Sequence, residues 1–155
     1  MAGIFFTDGK TCLAGYNIKK NFISGIGGKS KEGETKFYTA IRETIEELFE
    51  IEPSKSMISM FEANLIKKEV LSCPVYETFV MSYDDLRQII MLMGFTRINS
   101  NLYDKFPLDI NELIKNRKTE NAKEISHLLI VPIIHNLSFD HDFLCDIYSY
   151  KNSNI

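Results

Sequence analysis

GGKSKEGETKFYTAIRETIEELFEI, residues Gly27–Ile51, joins a glycine pair and a short polar loop to a stretch of helical periodicity. Phe37, Ile41, Ile45 and Leu48 fall at i, i+4, i+8 and i+11, which predicts a helix running to about Leu48 with this stripe buried. Thr35 stands where such a helix needs an N-cap. On another face Glu43, Glu46, Glu47 and Glu50 fall at i, i+3, i+4 and i+7, so four carboxylates share one side. Like charges at these spacings cost a helix roughly 0.2–0.5 kcal/mol per pair, and only Arg42 is near enough in sequence to offset them. An arbitrary acidic run of this kind is a solvated face. A divalent cation would turn the repulsion into binding, because hard cations take carboxylate oxygens. Glu43, Glu46 and Glu47 are then the candidate ligands, and Mg²⁺ or Mn²⁺ the candidate metal.

Gly28, five residues, Glu34, seven residues, Arg42-Glu43, two residues, Glu46-Glu47: this order closely resembles the signature of the Nudix hydrolases. The family pattern continues to a glycine and an apolar residue, where this chain has Phe49 and Glu50, and Thr44 replaces a usual aliphatic residue. The resemblance implies an α/β fold of the α/β/α sandwich type with a mixed sheet, interrupted here by an inserted helical segment. It also implies metal-dependent hydrolysis of a nucleoside diphosphate linked to another group. Within that pattern Arg42 would orient a glutamate, with Glu34 as its partner across the loop, and the Gly27–Lys29 turn would position the catalytic loop. Read without the family, Arg42 is equally an i,i+4 partner of Glu46. The glycines of the turn let a backbone approach phosphates, and Lys29 could pair with one; a loop lysine is more often merely solvated. The proton acceptor stays open among Glu43, Glu47 and a later acid.

That later acid comes from EISHLLIVPII, Glu124–Ile134, which reads as a buried strand ended by Pro132. It resembles the late Nudix strand, with Ile130 at an aromatic position and Glu124 at the acidic position before it. Glu124 is therefore the candidate additional catalytic and metal-binding acid, with Glu120 in reserve.

The rest of the chain sets bounds. With 155 residues, 45% hydrophobic and 25% charged, the expectation is one ordinary globular domain, residues 1–155. A net charge of −3 gives no reason to expect a large nucleic-acid surface. Cys12, Cys73 and Cys145 show no ligand spacing and read as buried thiols of a reducing compartment. Without a leader pattern or an apolar run long enough for a bilayer, a cytoplasmic protein with no membrane partner is expected.

Along the chain, Gly3–Phe6, Asp8-Gly9 and Thr11–Tyr16 read as a hairpin, and Asn21–Ile26 as a strand feeding the glycine turn. Met57–Lys68 and Pro74–Ser82 read as strands; Asp84–Met93, behind an Asp cap, and Asp109–Lys118 read as helices. Phe49 suggests a helix continuing part of a turn toward Pro53 with its ring in the core. The segment from His135 to Ile155 suggests a closing helix. There His135, Asp140, His141 and Asp142 are a polar turn before they are a second metal site. The stretch Tyr83–Lys123 is long for a connection and is expected to cover the substrate pocket. It could supply Phe95, Tyr103 or Phe106 for base stacking, although each alone more simply packs the insertion down.

A small nucleotide substrate such as a (d)NTP is the leading expectation. The alternatives are the 5′ cap of mRNA, with capped RNA as partner, and a diphosphoinositol polyphosphate. Cap cleavage would need Lys19-Lys20, Lys67-Lys68 and Arg117-Lys118 to converge into a basic stripe. A non-catalytic binding domain of the same fold is disfavoured by the intact acids, and the oligomeric state stays open.

Overall fold

The computed structural model describes residues 1–65, 69–73, 75–120, 122–134 and 139–154. Among these residues the chain is a mixed α/β fold of seven strands and five helices. In order they are β1 (Ala2–Phe6), β2 (Thr11–Asn17), β3 (Phe22–Ser24), β4 (Ile26–Gly28), α1 (Lys36–Phe49) and α2 (Lys55–Asn64). Then follow β5 (Glu69–Cys73), β6 (Tyr76–Met81), α3 (Tyr83–Thr96), α4 (Ile110–Lys115), β7 (Ile125–Pro132) and α5 (His141–Ser153).

The strands form two sheets. One is mixed, in the order β4-β1-β6-β5, with β1 antiparallel to β4 and parallel to β6; the other is antiparallel, β3-β2-β7. Both edges of β1 are thus taken, and the expected hairpin becomes a corner. Asp8 Oδ1 accepts from the N–H groups of Lys10 and Thr11 at 2.9 and 2.7 Å, and β1 and β2 meet at an isolated Thr7–Cys12 bridge and not along a ladder. The expected strand Asn21–Ile26 likewise divides at Gly25, so that β3 pairs with β2 and β4 with β1.

β1 buries both faces. Ala2, Ile4 and Phe6 enter the larger core with the apolar stripe of α1, while Phe5 enters a smaller one with Cys12, Phe139, Phe143 and Ile147. The closing helix is α5, which supplies Phe143 and Ile147. Burial pushes the Cys12 thiol up to about 12, as expected of an inert interior cysteine. Cys145 is half-buried, and the side chain of Cys73 lies outside the described residues.

Three readings of the sequence need correction. The strand expected over Met57–Lys68 is instead helix α2 up to Asn64, with Leu65 at its C-cap and residues 66–68 outside the described ones. Ser54 accepts the Met57 N–H at 3.2 Å, and Met57, Ile58, Phe61 and Leu65 are all buried, which is a helical stripe. α3 starts from Ser82, in a capping box with Asp85, and not from an Asp cap. It buries Leu86, Ile89, Ile90 and Met93 as expected. β7 is an edge strand whose residues alternate, with Leu128 buried and Ile130 42% exposed, and not the buried strand expected.

α1 starts as predicted, Thr35 Oγ1 accepting the Tyr38 N–H at 3.1 Å. Its end differs. The helix stops at Phe49, whose ring is fully buried and stacked on Phe106 at 5.2 Å. The next residue, Glu50, takes the left-handed conformation (φ 49°, ψ 41°) that glycine usually supplies, so the helix does not run on toward Pro53.

Candidate active site

Glu43 and Glu47 face outward from α1, and Glu124 stands at the start of β7. These three carboxylates line a wall common to two cavities of about 430 and 370 Å³. The first cavity adds Glu46, Glu50, Lys31, Arg117 and Lys123. The second adds Phe22, Gly27, Gly28, Lys29, Tyr76 and Asp146.

Arg42 is the centre of the N-terminal half of the site, with its side chain 5% exposed. Nε and Nη2 donate to the two oxygens of Glu34 at 2.8 and 3.0 Å, the planar fork matching the carboxylate. Nη1 donates to Glu43 at 2.8 Å and Glu46 at 2.9 Å, and Nη2 also reaches the Lys29 carbonyl at 2.7 Å. Both sequence readings of Arg42 therefore hold at once. Burial alone would raise the Glu34 pKa. The bonds from Arg42, from the Lys31 N–H at 3.0 Å and from the Thr39 hydroxyl at 2.9 Å prevail and hold it at about 2.

Glu47 is the opposite case. Expected on an exposed face, it lies enclosed against the glycine turn, where Oε2 accepts the Gly27 N–H at 2.8 Å. Burial pushes its pKa well above the ordinary carboxylate value, and the charges of Glu43 and Glu124 add to this. The Gly27 bond and the charge of Arg117 act against it without prevailing. Glu43 is raised by burial and by Glu46 and Glu124, in spite of Arg42. The glycine turn is what allows this closeness. Gly27 has φ 153°, and a Cβ on Gly28 would overlap the Glu43 carboxyl.

Among the described residues no three acids, imidazoles or thiolates are gathered into a finished ligand cluster. Arg42 draws Glu43 and Glu46 toward itself, and Glu46 also has Lys31 at 3.8 Å. What the site does offer is an all-oxygen donor set, Glu43, Glu47 and Glu124, with two of its pKa values raised partly by mutual repulsion. A hard divalent cation fits that set, since it favours the ionised forms that burial opposes.

The other candidates separate clearly. Lys29 is exposed at the mouth of the second cavity, and Glu120 is exposed and lines neither of the two. Tyr103 is buried with its hydroxyl donating to the Leu113 carbonyl, Phe106 lies on Phe49, and Phe95 is 73% exposed. None of these three rings lines either cavity; Tyr103 and Phe106 pack the insertion down, and Phe95 does neither. Asp140 caps α5, accepting the Asp142 N–H at 3.2 Å, while His135 lies outside the described residues.

One residue that the sequence reading passed over, and one that it placed differently, also matter. Asp146, on α5, is buried and accepts from the Thr78 hydroxyl at 2.8 Å, and burial raises its pKa to about 7. Arg117, expected on a basic surface, is 6% exposed and spends its guanidinium on backbone carbonyls. No spacing in the sequence marks either of them.

No protein-family model matches the chain, and no curated protein matches it either. The geometry of the carboxylates therefore carries the functional reading.

Proposed function

We propose that the chain is a metal-dependent pyrophosphohydrolase of the Nudix type, acting on a nucleoside diphosphate linked to a further group, with a small nucleotide such as a (d)NTP as the leading substrate. The observation that carries it is the Glu43–Glu47–Glu124 wall between two cavities, beside a glycine turn and an arginine locked to Glu34. The sandwich arrangement of the family belongs to the same proposal. In support, β1 has one core on each face, the larger with α1 and the smaller with α5.

Glu43, Glu47 and Glu124 would hold Mg²⁺ or Mn²⁺, which supplies polarisation of phosphoryl oxygens and a bound water of lowered pKa. The chain's own groups do the rest. Arg42 fixes the Glu43 carboxyl by a charge-assisted hydrogen bond. The Gly27 N–H orients Glu47, and Glu43, Glu47 and Glu124 are the groups that can take a proton from an attacking water. Lys29 and Lys20, on the second cavity, can meet the phosphate charge.

A capped RNA substrate loses part of its support, because Arg117 is turned inward; Lys67-Lys68 lie outside the described residues. No helix among the described residues is long and apolar enough to cross a membrane.

The test is hydrolysis of nucleoside triphosphates, nucleotide sugars, dinucleoside polyphosphates, inositol pyrophosphates and capped RNA in parallel, with and without Mg²⁺ or Mn²⁺. Metal-dependent release of a nucleoside monophosphate from the small nucleotides is expected. Efficient cleavage of capped RNA with poor competition by free nucleotides would overturn the substrate class, and no metal-dependent cleavage of any of them would overturn the activity.

A further inference from the structure

A helix leaves its last four carbonyls without partners inside the helix, and a glycine in the left-handed conformation commonly closes such an end. α1 has no glycine there. The Glu46 carbonyl accepts the Glu50 N–H at 2.9 Å, and the next three carbonyls are met by side chains from the inserted segment. Arg117 Nη2 donates to the Glu47 carbonyl and Nη1 to the Leu48 carbonyl, both at 2.7 Å, and the Ser100 hydroxyl donates to the Phe49 carbonyl. The Glu50 carboxyl in turn accepts the Lys123 N–H at 2.6 Å.

Arg117 does more than cap. The same guanidinium donates through Nη2 to the Ile125 carbonyl at 2.8 Å and through Nε to the Ser126 carbonyl at 3.3 Å. One rigid, buried group therefore ties the residue that bears the Glu47 carboxylate to the first residues of β7, directly after Glu124. A guanidinium can do this because its donors sit in a fixed fork, and its charge is favourable at a helix C-terminus. Ser100 holds the same helix end but makes no bond to β7.

We propose that Arg117 is a positioning residue that sets the spacing between Glu47 and Glu124, and through it the affinity for the divalent cation. This rests on the metal-dependent reading above. It assigns the inserted segment a part in the active site through one inward-facing arginine.

Mn²⁺ binding, followed by loss of the free-ion electron paramagnetic resonance signal, tests it without substrate. The parent, Arg117→Lys and Ser100→Ala are compared, each checked for a native near-ultraviolet circular dichroism spectrum, with Arg117→Gln used if the lysine variant does not fold. Lysine keeps the charge but not the fork. Its Mn²⁺ affinity is expected to fall roughly tenfold or more, the range typical of groups that orient metal ligands. Ser100→Ala should lower the melting temperature and leave the affinity within about twofold of the parent, since it touches no ligand-bearing strand. In a Glu124→Gln background, where one end of the spacing is already lost, replacing Arg117 should cost little further affinity. Parent-like binding by the Arg117 variant, or an equal loss in Ser100→Ala, overturns the positioning role while leaving the metal site standing. A parent that does not bind Mn²⁺ removes the metal reading itself.

Discussion

The two ends of α1 carry the same kind of group and treat it in opposite ways. At the start, Arg42 holds both oxygens of Glu34 at 2.8 and 3.0 Å, and Glu34 is held ionised. Toward the end, Glu47 has a backbone N–H and no cation in hydrogen-bond contact among the described residues, and burial raises its pKa. Glu34, held on both oxygens by the arginine fork, has little to gain from a metal ion, whereas Glu47, left beside Glu43 and Glu124, has much. The start of the helix is thus built for structure. Its end is where binding energy is available.

The sharpest way to break this contrast is Glu47→Gln. The amide keeps an oxygen for the Gly27 N–H and removes only the charge, so folding should survive. Metal-dependent turnover should fall by about a hundredfold or more, on the scale of losses when a preorganised catalytic group is removed. Near-parent turnover at saturating Mg²⁺ or Mn²⁺ would show that the enclosed glutamate is not the one that matters. Phe49→Gly comes next. It deletes a fully buried ring stacked on Phe106 and adds backbone entropy, which should cost about 4 kcal/mol or more in denaturant unfolding. A glycine variant as stable as the parent would mean that the family's usual exit was available all along and that the side-chain caps are redundant.

The same contrast explains what could be read from the sequence. Thr35 stands at the cap position of a local helical pattern, and the resemblance implies the pairing of Glu34 with Arg42, so both bonds lie within eight residues of one another and could be read. Arg117 reaches carbonyls 69 and 70 residues away, and no local pattern encodes that. The apolar stripes of α1 and α3 were legible because each spans several turns. The stripe of α2 is short and rich in Met, Ile and Phe, so by itself its period does not separate a helix from a strand. Asp8-Gly9 did mark a turn, but whether a turn closes a hairpin or a corner depends on which strands occupy the edges of β1, and those come from later in the chain.

Glu34→Gln sharpens the comparison through pH. The Glu34 pKa is depressed from its ordinary 4.5 to about 2, so the folded state binds this proton less readily than the unfolded state. Its contribution is therefore full above about pH 4.5 and is lost as pH falls toward 2. The variant should be about 2 kcal/mol less stable at neutral pH, the scale of hydrogen bonds to a charged group, and its stability should decline less between pH 4.5 and 2. A parent-like acid limb in the variant would show that Arg42 is satisfied by Glu43 and Glu46 alone.

The smallest expected effect lies one residue further on. Thr35→Ala removes the hydroxyl that accepts the Tyr38 N–H, a loss of about 1 kcal/mol and a fall of roughly 2–4 °C in melting temperature for a chain of this size. The Thr35 hydroxyl bonds the helix backbone and takes no part in the Arg42 network. If the start of α1 is structural, the helix should fray slightly there while Arg42 keeps Glu34 and Glu43 in place. Mn²⁺ affinity should then match the parent's within measurement. A clear drop in affinity, at unchanged folding, would mean that loosening the first turn is felt at Glu47, three turns away. The two ends of the helix would then act as one unit, and the division between a structural start and a binding end would fail.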